Sequence, residues 1–195
     1  FKDASDFTFI FVGNVDVEKM KPVIAEYLGA LPAVNRKETF KDNKIEMRQG
    51  IYKNEFTKQQ ETPKASVFAF YNGDCKYDLR NNLLLSMTSQ ILDLVYTEKV
   101  REDEGGTYGV YVGGTLQKYP KEKAILQIIF DTAPEKKEKL MKIIFGEIDN
   151  ITKTGPSEAN LNKVKEYMLK KHTEDLKENS YWLGSIDEYL YTGMN

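Results

Sequence analysis

Between residues 123 and 151 the apolar spacing of the chain changes from every second residue to every third or fourth. In the first stretch Ala124, Leu126, Ile128 and Phe130 alternate with Ile125, Gln127 and Ile129. In the second, Leu140, Met141, Ile144, Phe145, Ile148 and Ile151 make one wide apolar face, opened by Pro134 and stopped by Gly155-Pro156. Side chains on a strand alternate between two faces, whereas those on a helix return to one face after three or four residues. The segment is therefore a strand followed by an amphipathic helix, and packing the helix on the sheet buries both apolar faces.

The rest of the chain supplies the partners. Phe7-Thr8-Phe9-Ile10-Phe11-Val12 predicts a strand buried on both faces and ended by Gly13-Asn14. Asp16 suits an N-cap, Val17, Met20, Val23, Ile24, Tyr27 and Leu28 fall at helical spacing, and Gly29 and Pro32 close that helix. Residues 35–42 read as a loop and residues 45–56 as a weakly alternating strand. Residues 65–71 make a better strand, with Val67, Ala69 and Tyr71 on one face and Phe68 and Phe70 on the other. A long helix follows from about Leu79 to Val100, with Leu84, Met87, Ile91, Leu94 and Val95 as its stripe. Residues 107–117 and 123–131 are two strands joined around Tyr119-Pro120. Ser157 caps a helix whose stripe is Leu161, Val164, Met168 and Leu176, and Tyr181 starts a last one. The order β-α-β-β-α-β-β-α-α-α lacks regular βαβ alternation. It predicts one α+β domain over residues 1–195, a mostly antiparallel sheet with helices on one face.

Composition narrows the chemistry. A net charge of −2, with acids interspersed among the lysines, argues against a nucleic-acid partner. No apolar run is long enough to span a bilayer, so no membrane partner is expected. The first residues lack a signal-peptide layout and there is no initiator Met, so the expectation is a segment of something longer, with any targeting signal upstream. The single cysteine, Cys75, excludes an internal disulfide. A zinc site needs three or four ligands, and the chain offers one His, one Cys and neither H-x-x-E-H nor H-E-x-x-H, so no metal ligands are expected in it. His172 lies on the line of an apolar helix stripe and reads as a packed or half-exposed helix histidine. Cys75, in Gly73-Asp74-Cys75-Lys76, sits in a turn without a nucleophile signature, and no glycine-rich phosphate loop is present.

One segment carries more: Val100-Arg101-Glu102-Asp103-Glu104-Gly105-Gly106-Thr107-Tyr108-Gly109-Val110. A helix delivers Arg101 near its C-terminus, a diglycine turn reverses the chain, and Tyr108 enters a strand. A guanidinium and a phenol brought side by side suit peptide carbonyl oxygens or the oxyanion of a tetrahedral intermediate, each donor worth ~3 kcal/mol there. On spacing alone the bland alternative stands beside it: Arg101 complements the helix dipole and Tyr108 packs at a sheet edge.

Arg followed seven residues later by Tyr across an acidic, glycine-containing turn resembles the substrate-binding pair of the pitrilysin/insulinase zinc peptidases. The opening Phe7-Thr8-Phe9-Ile10-Phe11-Val12-Gly13-Asn14-Val15-Asp16, the helix end Tyr27-Leu28-Gly29-Ala30-Leu31-Pro32 and the entry Gly155-Pro156-Ser157-Glu158 look like the later domains of the same family, in the same order. The resemblance implies the metallopeptidase-like fold of the pitrilysin and mitochondrial processing peptidases, and a place in the C-terminal half, most like the last of four domains in bacterial members, commonly exported to the periplasm. It implies that Arg101 anchors a substrate carbonyl and that Tyr108 is substrate-binding and catalytic, donating to the oxyanion. Zinc is expected in the N-terminal half, whose H-x-x-E-H motif binds it. The implied partners are that half, or a paired subunit, and a peptide substrate; the chain alone is expected to be inactive. Two other readings remain: a non-catalytic peptide-binding or scaffold subunit of the same fold, and an α+β interaction domain unrelated to peptidases.

Overall fold

A computed structural model of the chain describes residues 2–37, 39, 41–104 and 109–193, with the side chains of 101–104 excepted. The residues fall into two compact units, Glu46–Lys170 and, separately, Phe1–Ile45 with Lys171–Asn195.

The larger unit is built on three strands, β1 (Ala65–Asp74), β2 (Val110–Gln117) and β3 (Lys123–Thr132). They form an antiparallel sheet in the order β1-β3-β2. The long helix α2 (Leu79–Glu104) and, after a single 3-10 turn at Pro134–Lys136, helix α3 (Lys137–Thr154) pack on one face of it. Leu92, Tyr96 and Val100 from α2, Leu140 and Ile144 from α3, and Ile128 and Phe130 from β3 form the buried core. Val67, Ala69, Val110 and Val112 pack against it from the flanking strands. Each fully buried side chain of this size contributes roughly 1.5–3 kcal/mol. Gly155 ends α3 with φ +76, a left-handed conformation that glycine adopts without a β-carbon clash. Helix α4 (Glu158–Asp175) then starts at Ser157, whose hydroxyl accepts the Asn160 amide at 3.2 Å. The α+β class, the antiparallel sheet and the helices on one face are as the sequence predicts.

The expected stripe of α2 is borne out at Ile91, which is buried, and at Met87, Leu94 and Val95, which are half-buried, but Leu84 is 46 % exposed and the buried face extends to Ser89, Leu92, Tyr96 and Val100. Leu83-Leu84-Leu85 is apolar all the way round, so spacing there could not choose a face, and Tyr96 went uncounted as a core residue.

Residues 45–56 form no strand among the described residues. Ile45, Ile51 and Phe56 stand in solvent, and the segment is held by surface ion pairs, Glu55 with Lys137 at 2.5 Å and Glu46 with Lys121. Charged residues at every few positions gave it no continuous apolar face to bury.

In the smaller unit, helix α1 (Val17–Tyr27) begins at Asp16, whose carboxylate accepts the Lys19 amide at 3.2 Å. Helix α5 (Asn179–Thr192) ends at Gly193. The side chain of Asp3 clamps the chain beyond α1, accepting the amides of Val34 at 3.0 Å and Arg36 at 2.8 Å and the hydroxyl and amide of Ser5. Contrary to the expected doubly buried strand, residues 7–12 form no ladder with any described residue, and Phe7, Phe9 and Phe11 are exposed. Their β-branched and aromatic composition favours a strand, but a ladder needs a neighbour, and no described strand lies beside them.

Candidate functional site

The junction singled out by the sequence lies where α2 ends, at Glu104, and β2 begins, at Val110. Arg101 belongs to the last turns of α2, its side chain lying outside the described residues, and Tyr108 lies outside them altogether. The frame on either side is firm. Val100 is buried, and one turn earlier the Tyr96 hydroxyl donates to the Ile144 carbonyl. Burial pushes the Tyr96 phenol well above its ordinary pKa, with the charges of Tyr71 and Glu147 adding to the effect. On the strand side Val110 pairs with Phe130, and Gly109 has φ +102, a conformation that L side chains rarely adopt.

β2 carries the chain onto the sheet face that α2 and α3 leave open. The ladder aligns Phe68, Ile129 and Tyr111 in one row across the three strands, and Phe70, Gln127 and Gly113 in the next. Phe68, Phe70 and Tyr111 are 61 %, 50 % and 55 % exposed. The Gln127 amide donates to the Tyr111 hydroxyl at 3.5 Å. A β-carbon at Gly113 would lie 2.6 Å from that hydroxyl, so only glycine lets the ring lie down along the strand. Charge is confined to the ends of the face. Asp131 accepts Ser66 at 2.5 Å and Lys64 at 3.0 Å, bonds that hold its carboxyl below the usual range, and Lys123 meets Asp74 at 3.0 Å. Rows of aromatic rings with one neutral amide between them can hold an uncharged extended chain by stacking and hydrogen bonding. Alternation in residues 65–71 already put Phe68 and Phe70 together. Tyr111 was overlooked, although its place one residue after Val110 fixes its face.

The described residues contain no group of three or more His, Cys, Asp and Glu able to hold a metal ion, so zinc does not fit them. His172 is exposed on α4, its Nδ1 3.5 Å from the Tyr181 hydroxyl and the two rings edge-on at 5.8 Å. Cys75 is half-buried, its thiol 3.8 Å from the Lys76 carbonyl. No helix among the described residues is long and apolar enough to cross a membrane.

Comparison with known proteins bears on this geometry. A protein described as "Zinc protease PQQL-like" from Arabidopsis thaliana is 24 % identical over 199 residues, covering 95 % of this chain and 21 % of its own length. Among solved structures, the periplasmic protease PqqL of Escherichia coli superposes with a TM-score of 0.72 at 19 % identity, over 91 % of this chain and 20 % of PqqL. The ferredoxin protease FusC, solved in complex with Arabidopsis ferredoxin, gives 0.67 at 13 % identity, over 93 % of this chain and 20 % of FusC. The chain thus spans about a fifth of the length of these relatives. Residues 1–168 match the family described as "Peptidase M16 inactive domain", and the chain belongs to that family of peptidase-associated domains.

Proposed function

We propose that the chain is the substrate-binding domain, from the C-terminal half, of a zinc-dependent metalloendopeptidase that hydrolyses peptides. The observation that carries this reading is the match of residues 1–168 to the inactive domain of the M16 peptidases. An open sheet face of aromatic side chains beginning just beyond residue 108 supports it.

Arg101 and Tyr108 are the two donors. Arg101 grips a substrate carbonyl with its guanidinium, and the Tyr108 hydroxyl donates to the oxyanion that forms as that carbonyl is attacked. An extended peptide lies across Phe68, Ile129 and Tyr111. Zinc is furnished by the N-terminal catalytic half of the same protein or by a paired subunit, and when bound it activates water. By analogy with PqqL the whole protein works in the periplasm.

The test is peptide turnover by the full-length protein carrying Arg101→Ala or Tyr108→Phe. Wild-type rates in both variants would remove the roles given to them. A second reading is a non-catalytic peptide-binding or scaffold subunit of the same fold. The rest of the gene product separates the two. H-x-x-E-H there supports the peptidase, and its absence supports the scaffold.

A further inference from the structure

The smaller unit buries almost nothing apolar. Its buried described residues are Asp3 and Thr192, while α1 has no buried residue and Tyr27, Trp182 and Tyr189 stand 67 %, 45 % and 51 % exposed. Ordering a residue costs about 1–2 kcal/mol of backbone entropy, and a unit that hides so little apolar surface does not recover that cost by itself.

The uncovered surface has a specific form at residues 7–12. Phe7 and Thr8 are both exposed, and from Phe9 on burial alternates with a period of two, Phe9 and Phe11 lying exposed while Ile10 and Val12 are half-buried. The rings of Phe7 and Phe9 meet edge-on with centroids 6.2 Å apart, as neighbours on one side of a strand do. Among the described residues no backbone hydrogen bond joins residues 8–12 to another segment. Uncharged side chains on both sides and an uncommitted backbone are the features of a strand from the interior of a sheet.

We propose that residues 7–12 are one strand of a β-sheet whose other strands come from polypeptide outside residues 1–195 of the same full-length protein, and that apolar side chains of that polypeptide cover Phe7, Phe9 and Phe11. Backbone hydrogen bonds supply the register, and the three phenylalanines supply the apolar contact. The occupant is drawn from the same protein because relatives matching nearly the whole chain run to about five times its length. The interface is independent of the peptide-binding reading, since it uses none of Phe68, Arg101, Tyr108, Tyr111 and Ile129.

Two measurements on the full-length protein test it. Amides of residues 8–12 should exchange with deuterium at least ~100-fold more slowly than the unstructured rate; exchange at the unstructured rate overturns the proposal. A photoreactive phenylalanine analogue at position 9 should crosslink to peptides outside residues 1–195 of the same molecule. Crosslinks confined to residues 1–195, in the same or a second copy, or made only to a different protein, overturn the occupant named here.

Discussion

The hydroxyl of Tyr96 on α2 donates to the backbone carbonyl of Ile144 on α3 at 3.0 Å, and both residues are completely buried. This bond fixes the two helices to each other about two turns before the end of α2. Tyr96→Phe keeps the ring and removes this bond, while the Ile144 carbonyl keeps its place in the α3 ladder, so the cost is about 0.5–1.5 kcal/mol. Urea unfolding should show the midpoint falling with an unchanged slope. An unaltered midpoint would mean that the bond adds nothing to stability.

The same phenol sets an alkaline limit. Its pKa is raised in the folded protein, chiefly by burial, above the ordinary value of 10.0. The folded state therefore holds the proton longer than the unfolded state does. The resulting stability is complete below pH ~10 and is lost as pH rises from there toward the folded value. Tyr71, raised by burial and by the charge of Asp149, adds a smaller effect of the same sign. Melting temperature should fall between pH 9 and 11 more steeply in the wild type than in Tyr96→Phe, and parallel curves would contradict this.

Gly114 on β2 lies directly against α2. A β-carbon there would lie 2.5 Å from Ser89 Oγ and 2.7 Å from Leu85 Cγ. Gly114→Ala should destabilise by about 1–3 kcal/mol through overpacking. Leu85→Ala removes part of the obstruction, so the double variant should be more stable than the sum of the single changes predicts. Strict additivity would place the clash elsewhere.

How far the sequence could be read depends on where the deciding information lies. β3 and α3 were legible because their apolar patterns are complete within themselves: Ile128 and Phe130 mark one face of a strand, and Leu140 and Ile144 one face of a helix. Residues 7–12 and 45–56 were not, because a strand is defined by its neighbour as much as by its own composition. The face of α2 was legible from Met87 to Val95 but not at Leu84, where three leucines in a row erase the period, nor at Tyr96, whose hydroxyl gives it the look of a surface residue. The open face was half visible, since alternation places Phe68 beside Phe70, but the row with Ile129 and Tyr111 needs the register of three strands. The roles proposed for Arg101 and Tyr108 rest on family likeness, since spacing alone favours a dipole-capping arginine.

In the smaller unit Asp3 predicts an acid-sensitive loop. Its carboxylate accepts hydrogen bonds from Ser5, Val34 and Arg36, and these hold its pKa far below the ordinary 3.8. A depressed folded-state pKa contributes stability that is present above the unfolded value and lost as pH falls below it. Exchange of the Val34 and Arg36 amides should therefore quicken below pH ~4, after the exchange chemistry itself is corrected for pH. Asp3→Asn should show the faster exchange already at pH 7. Equal protection in the variant would show that the loop is held by other contacts.

Arg101 and Tyr108 should separate kinetically, because their proposed partners exist at different stages of the reaction. A substrate carbonyl is present before and during attack, so the Arg101 guanidinium binds ground and transition states about equally. Arg101→Ala should then raise KM and leave kcat near wild type. The oxyanion exists only as the tetrahedral carbon forms, so the Tyr108 hydroxyl acts in the transition state. Tyr108→Phe should lower kcat by about 10²–10³-fold with KM little changed. Steady-state kinetics of the full-length protein on an unstructured peptide, with melting curves to confirm folding, provide the measurement. A Tyr108→Phe variant that loses only affinity would move the phenol from the reacting carbon to the flank of the substrate, and the face of Phe68 and Tyr111 would then account for peptide binding without a catalytic donor.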